Sequence, residues 1–200
     1  MSTIGVLVFD GAEELDVVGP WEVLTASAAL LERDGAPPDR VLLVAAGTEP
    51  VRCRKGMRVL PDATFADHPP LDVVIVPGGD GTLLASADPA LLEWLVRVGA
   101  GATWVASVCT GALLLHASGL AAGRRLATHR VFEDRLAELG VDVVRDARWV
   151  ADGNVVSSQG VSAGIDMALW LVGQLHSPRH ARATQRYIQY DPAPPYQADV

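Results

Sequence analysis

The chain has 200 residues, 50% of them hydrophobic and 20% charged, which fits one globular domain and excludes a disordered chain. A formal net charge of -8 excludes a surface built for nucleic acid, because a polyanion would be repelled. Two cysteines, Cys53 and Cys109, are too few for a disulfide framework and point to a reducing compartment.

The opening "MSTIGVLVFDGAEELD" has no basic leader, and its apolar run of six residues before Asp10 is too short for a signal peptide. No apolar stretch approaches the ~18 residues of a membrane span. A cytoplasmic protein with no membrane partner is expected. Short apolar runs at 4–9, 41–46, 72–77 and 103–108 are continuously apolar, the pattern of strands covered on both faces, and "RLAT" at 125–128 reads as a fifth strand. Between them the spacing predicts helices over 19–35, 87–100, 110–120 and 130–140. The second of these starts with Asp88 as N-cap and Pro89 at the first helical position. Asp152-Gly153 signals a hairpin turn, a long helix follows near 162–176, and "SPRHARATQR" reads as a solvated basic helix. The tail "YDPAPPYQADV" is too rich in proline to be helical and should lie extended. Strand–helix alternation of this kind predicts an α/β fold, a mostly parallel sheet with helices on both faces, in one domain over 1–200.

In such sheets functional groups gather at the carboxyl ends of the strands. Cys109 follows one strand directly and precedes a helix, in the order Ser107-Val108-Cys109-Thr110-Gly111. Small residues there allow the sharp elbow that exposes a nucleophile, and a helix N-terminus favours a thiolate. The expectation is an exposed, acidic thiol. Cys53 lacks that setting. A nucleophile also needs a proton carrier and a place for developing charge. Gly78 and Gly79 end another strand and are candidates to offer backbone N–H groups. In the first loop Asp16 lies among Leu15, Val17 and Val18, where lost hydration would raise its pKa and suit it to proton transfer. Glu13 and Glu14 are read as solvated. His129 falls at the same sheet edge as Cys109 and admits a Cys–His pair, whereas His68, His116, His176 and His180 read as surface or core. No spacing suits a metal.

The stretches "VFDGAEELDVVGPWEVL", "LDVVIVPGGDG", "SVCTGALLLHASGLAAGRRLATH" and "DGNVVSSQGVSAGIDMAL" together resemble the PfpI branch of the class I glutamine amidotransferase-like superfamily, from about residue 4 to 197. Within that branch the Asp of "LDVVGP", the "SVCTG" elbow and the tail look most like members that hydrate isocyanides to N-substituted formamides. The resemblance implies a flavodoxin-like three-layer sandwich, a homodimer, a small-molecule substrate and no cofactor. It also implies Cys109 as nucleophile, Asp16 as acid/base partner, Thr110 lending its hydroxyl, and support from the backbone of Gly79 and Thr110, with Gly160 nearby. Members of peptidase type carry His after the cysteine; Thr110 stands there instead. Two departures bear on the pocket. "SSQG" at 157–160 is more polar than the glycine-rich stretch expected, and the first helix carries an extra "LLERDGAPPDR". Glyoxalase or deglycase chemistry on α-oxoaldehydes, or a cysteine redox sensor, remain open beside hydration. The chain's end at Val200 leaves no room for an appended DNA-reading module.

Overall fold

A strand with apolar side chains on both faces must be covered on both, so these runs can be buried only in the middle of three layers. The computed structural model, which describes residues 1–194, has that form. In chain order the elements are β1 (Thr3–Leu7), α1 (Glu14–Arg33), β2 (Arg40–Ala45), β3 (Val51–Arg52), β4 (Arg58–Val59) and β5 (Ala63–Thr64). Next come β6 (Val73–Val76), α2 (Thr82–Ala85), α3 (Pro89–Gly99), β7 (Trp104–Val108), α4 (Gly111–Ala117), β8 (Arg125–Leu126) and α5 (Glu133–Glu138). The chain closes with β9 (Asp142–Val143), β10 (Trp149–Asp152), β11 (Val155–Ser158), α6 (Ala163–Leu175) and α7 (Pro178–Tyr187).

Seven strands form the central sheet in the order β10-β11-β7-β6-β1-β2-β5, all parallel except the β10–β11 hairpin. Val73 and Ile75 face the layer containing α1 and α6, and pack with Val17, Leu24, Met167 and Leu171. Val74 and Val76 face the other layer, with Leu91, Trp94, Leu95 and Leu114 of α3 and α4. Buried Trp94 donates its indole N–H to His68 Nε2 at 2.9 Å, so His68 belongs to the core framework. The flavodoxin-like sandwich expected above is therefore the fold. Among the described residues no helix is long and apolar enough to cross a membrane.

Three expectations are corrected. "RLAT" does not join the main sheet; Arg125–Leu126 pairs with Asp142–Val143 in a separate two-stranded ribbon. The first helix starts at Glu14 rather than 19, with Pro20 inside it. Pro20 sits within the second turn and, lacking an N–H, forfeits only one intrahelical bond. As a result Asp16 lies in the first turn of α1, not in a loop. The third concerns Glu13 and Glu14: Glu13 is only 2% exposed, and Glu14 accepts the Lys55 N–H, so neither is simply solvated. Part of the tail expected to run extended, residues 195–200, lies outside the described residues.

Crossovers leave β1 toward β2 and β6 toward β7, in opposite directions, so the loops after β1 and β6 separate and open a crevice. Glu13 N–H donates to the Gly78 carbonyl at 2.8 Å, and Ala12 bridges to Gly79, which ties the two loops together along its floor. The helix α3 that borders this end is capped as expected: Asp88 Oδ1 accepts from Ala90 and Leu91 at 2.9 and 3.4 Å. Asp88→Ala should lower stability by about 1 kcal/mol, read as a lower urea midpoint at unchanged m. An unchanged midpoint would show the cap to be idle.

Candidate active site

The bend at Cys109 is real and it is strained. Its φ is +59°, a left-handed conformation that a residue with a Cβ rarely adopts. The backbone is pinned there by its neighbours. Cys109 N–H donates to the carbonyls of Ser158 and Gln159 at 3.2 and 3.3 Å, and its own carbonyl accepts the Thr128 hydroxyl at 2.8 Å. The polar "SSQG" stretch thus serves the elbow directly. Gly111 permits α4 to start against β6, where a Cβ would collide with the Val76 carbonyl, and Gly78 lies equally tight against Thr110.

The thiol lies at the base of a cavity of about 230 Å³, whose walls include Thr110, Gly79, His129, Val131, Phe132 and Val161. It does not stand out from the surface: Cys109 is 6% exposed. Behind the sulfur lies Asp16, 0% exposed. Its Oδ2 accepts the Gly78 N–H at 3.0 Å and its Oδ1 the Val161 N–H at 3.1 Å. Val161 has φ +57°, a second left-handed residue and a β-branched one. It was missed from the sequence, since nothing in "QGVSAG" marks a valine for that conformation.

The electrostatics follow from burial. Loss of hydration raises the Asp16 pKa to about 7, against the pull of the Gly78 N–H, the thiol hydrogen bond and the Val161 N–H. The raised acid expected from its apolar neighbours is therefore present. The acidic thiol is not. Burial first, and the Asp16 charge second, push Cys109 up to about 12, and the Thr110 N–H and hydroxyl only partly oppose them. The seven-residue α4 contributes too little field to prevail against that desolvation. The resting pair is a neutral thiol beside a buried carboxyl, each shifting the other's ionisation.

The other sequence candidates fall into place around this pair. Gly78 and Gly79 do not leave their N–H groups free for a developing charge: Gly78 serves Asp16, and Gly79 N–H donates to Thr110 Oγ1 at 2.9 Å. Thr110 Oγ1 also pairs with Thr82 Oγ1 at 3.0 Å, which fixes its rotamer beside the sulfur. His129 lines the cavity, but its Nδ1 accepts the Val131 N–H at 3.2 Å. In its neutral form the ring proton then sits on Nε2, and no hydrogen bond joins His129 to Cys109 among the described residues. Gly160 supports that ring by close contact, since a Cβ there would run into it. Glu13, just before α1, and Arg54, from the β3–β4 hairpin, reach the cavity together with Asp80. Cys53 is buried in that hairpin, apart from the cavity. Among the described residues no group of three or more His, Cys, Asp or Glu could hold a metal ion.

A cysteine on a strand-to-helix elbow, backed by a buried carboxyl beside the switch point of a parallel sheet, defines a class of cysteine-centred α/β proteins. The chain belongs to the DJ-1/PfpI family, whose profile matches residues 2–174. It is 39% identical over 193 residues to the isonitrile hydratase of Pseudomonas putida, covering 96% of this chain and 80% of that protein. It is 30% identical over 171 residues to the glutathione-independent glyoxalase DJR-1.2 of Caenorhabditis elegans, covering 84% and 86%. The crystal structure of a THiJ/PfpI family protein from Pseudomonas syringae superimposes with a TM-score of 0.89 at 34% identity, over 100% of this chain and 79% of that one.

If Asp16 holds the thiol in its neutral form, Asp16→Asn should remove the charge that opposes thiolate formation. Iodoacetamide labelling of Cys109 should then reach its half-maximal rate at a lower pH than in the parent protein. A shift to higher pH would mean that Asp16 promotes ionisation instead.

Proposed function

We propose that the protein hydrates isocyanides to N-substituted formamides. The observation that carries this reading is the buried carboxyl of Asp16 set behind Cys109, which itself lines a small cavity, because one proton can travel from sulfur to carboxyl to carbon. The likeness to an isonitrile hydratase over nearly the whole chain supports it. A cavity of this size suits a compact substrate.

The isocyanide carbon is electrophilic and lacks a hydrogen. The Cys109 sulfur forms a bond to it while the thiol proton passes to Asp16, which must be ionised to receive it. Asp16 then delivers that proton to the same carbon, leaving a thioimidate, S–CH=N–R. Asp16, again a carboxylate, takes a proton from water as the water oxygen adds to that carbon, and the nitrogen gains the proton. Collapse breaks the carbon–sulfur bond, the hydroxyl proton returns to sulfur, and R–NH–CHO leaves. Overall one water is added and nothing is oxidised or reduced. Thr110, through its N–H and hydroxyl, stabilises the sulfur whenever it carries charge.

A second reading, conversion of α-oxoaldehydes, draws on the likeness to a glyoxalase. One assay separates the two: incubation with an alkyl isocyanide and with methylglyoxal, measuring formamide against lactate. Formamide is expected, with Cys109→Ala reducing it to background and Asp16→Asn lowering kcat by ~100-fold or more. The parent kcat/KM should rise with pH through about 7 as Asp16 ionises. Substantial turnover by Cys109→Ala, or lactate without formamide, would overturn this proposal.

A further inference from the structure

The mouth of the cavity is more strongly charged than its floor suggests. Arg54 comes from the β3–β4 hairpin and is held from two sides: its Nε donates to Asp80 Oδ2 at 2.6 Å and its Nη1 to Glu13 Oε2 at 3.2 Å. Lys55 is committed as well, paired with Glu13 and lying 3.9 Å from Glu14. Arg130, outside the cavity lining, lies 3.8 Å from Asp146. So the cavity lining sets two carboxylates, Glu13 and Asp80, against one guanidinium, Arg54, which both of them already hold. A carboxylate on an incoming molecule would meet excess negative charge and no free cation.

We infer that this site selects uncharged substrates and rejects those bearing a carboxylate, and that Asp80 enforces the choice by occupying Arg54. The substrate class rests on the isocyanide reading above; the charge selection rests on the ion pairs alone. Asp80 is well placed for such a role. Its carboxyl is largely exposed, so removing it disturbs no core contact, and it holds the Arg54 Nε. With Asp80 gone, Arg54 keeps its Glu13 contact and its Nε is released toward the cavity, where it could pair with a substrate carboxylate.

The test compares matched pairs differing in one charge, at low salt, where such fields act most strongly. For turnover the pair is isocyanoacetate and its methyl ester; for Cys109 labelling it is iodoacetate and iodoacetamide, scaled to their rates with N-acetylcysteine. The parent protein should favour the neutral member of each pair by ~tenfold or more. Asp80→Ala should narrow that preference by ~tenfold, and adding Arg54→Gln should restore it. Equal handling of both members, or a preference untouched by Asp80→Ala, would overturn the inference. Absence of turnover with either isocyanide would instead overturn the hydratase reading, and the labelling pair would still decide the charge selection.

Discussion

A carboxyl and a thiol set together with little access to water is the interaction on which this molecule depends. In solvent each would be ionised or not according to pH, with little regard for the other. Buried together, both lose the hydration that stabilises charge, and their proton is retained between them. The sulfur gains reactivity by having a base in contact at the moment of attack rather than by standing ready as an anion. That distinction alters how the elbow is understood. It positions the sulfur, and the acid behind it governs its charge.

Holding such a pair requires backbone that would not otherwise adopt these shapes. Cys109 and Val161 both occupy left-handed conformations, each costing of order 1–3 kcal/mol for a residue that is not glycine. The surrounding contacts over-determine both. Ser158, Gln159 and Thr128 fix the elbow from the β11 side, and the tight approach at Gly78 and Gly111 fixes it from β6. Val161 is turned so that its N–H meets Asp16. Of the four non-glycine residues with left-handed φ among the described residues, Cys109 and Val161 lie beside the buried carboxyl.

The continuous apolar runs made the central parallel strands legible, because strands covered on both faces have no polar alternation to hide in. Asp88 and Pro89 announced α3 by the chemistry of helix starts. The two groups of the site were legible for different reasons, Cys109 from its place between strand and helix and Asp16 from its apolar neighbours. What failed did so through tertiary effects that local pattern does not carry. The apolar spacing began too late to show the true start of α1, whose packing against α6 outweighs the hydrogen bond missing at Pro20. The short "RLAT" run could not reveal that its partner would be Asp142–Val143 and not the main sheet. The thiol was expected to be acidic from its helix end, but only the folded chain shows how far it is withdrawn from water. Glu13 read as solvated because its burial depends on Arg54 and Lys55, some forty residues away in sequence.

The ionisation of Asp16 itself tests the account most directly. A carbon-13 titration of the side-chain carboxyl in protein labelled at aspartate, assigned with Asp16→Asn, should show this group protonated at pH 6 with a midpoint near 7. A midpoint near 4, the ordinary value for a hydrated aspartate, would show that the carboxyl is open to water and that it does not share a proton with the sulfur.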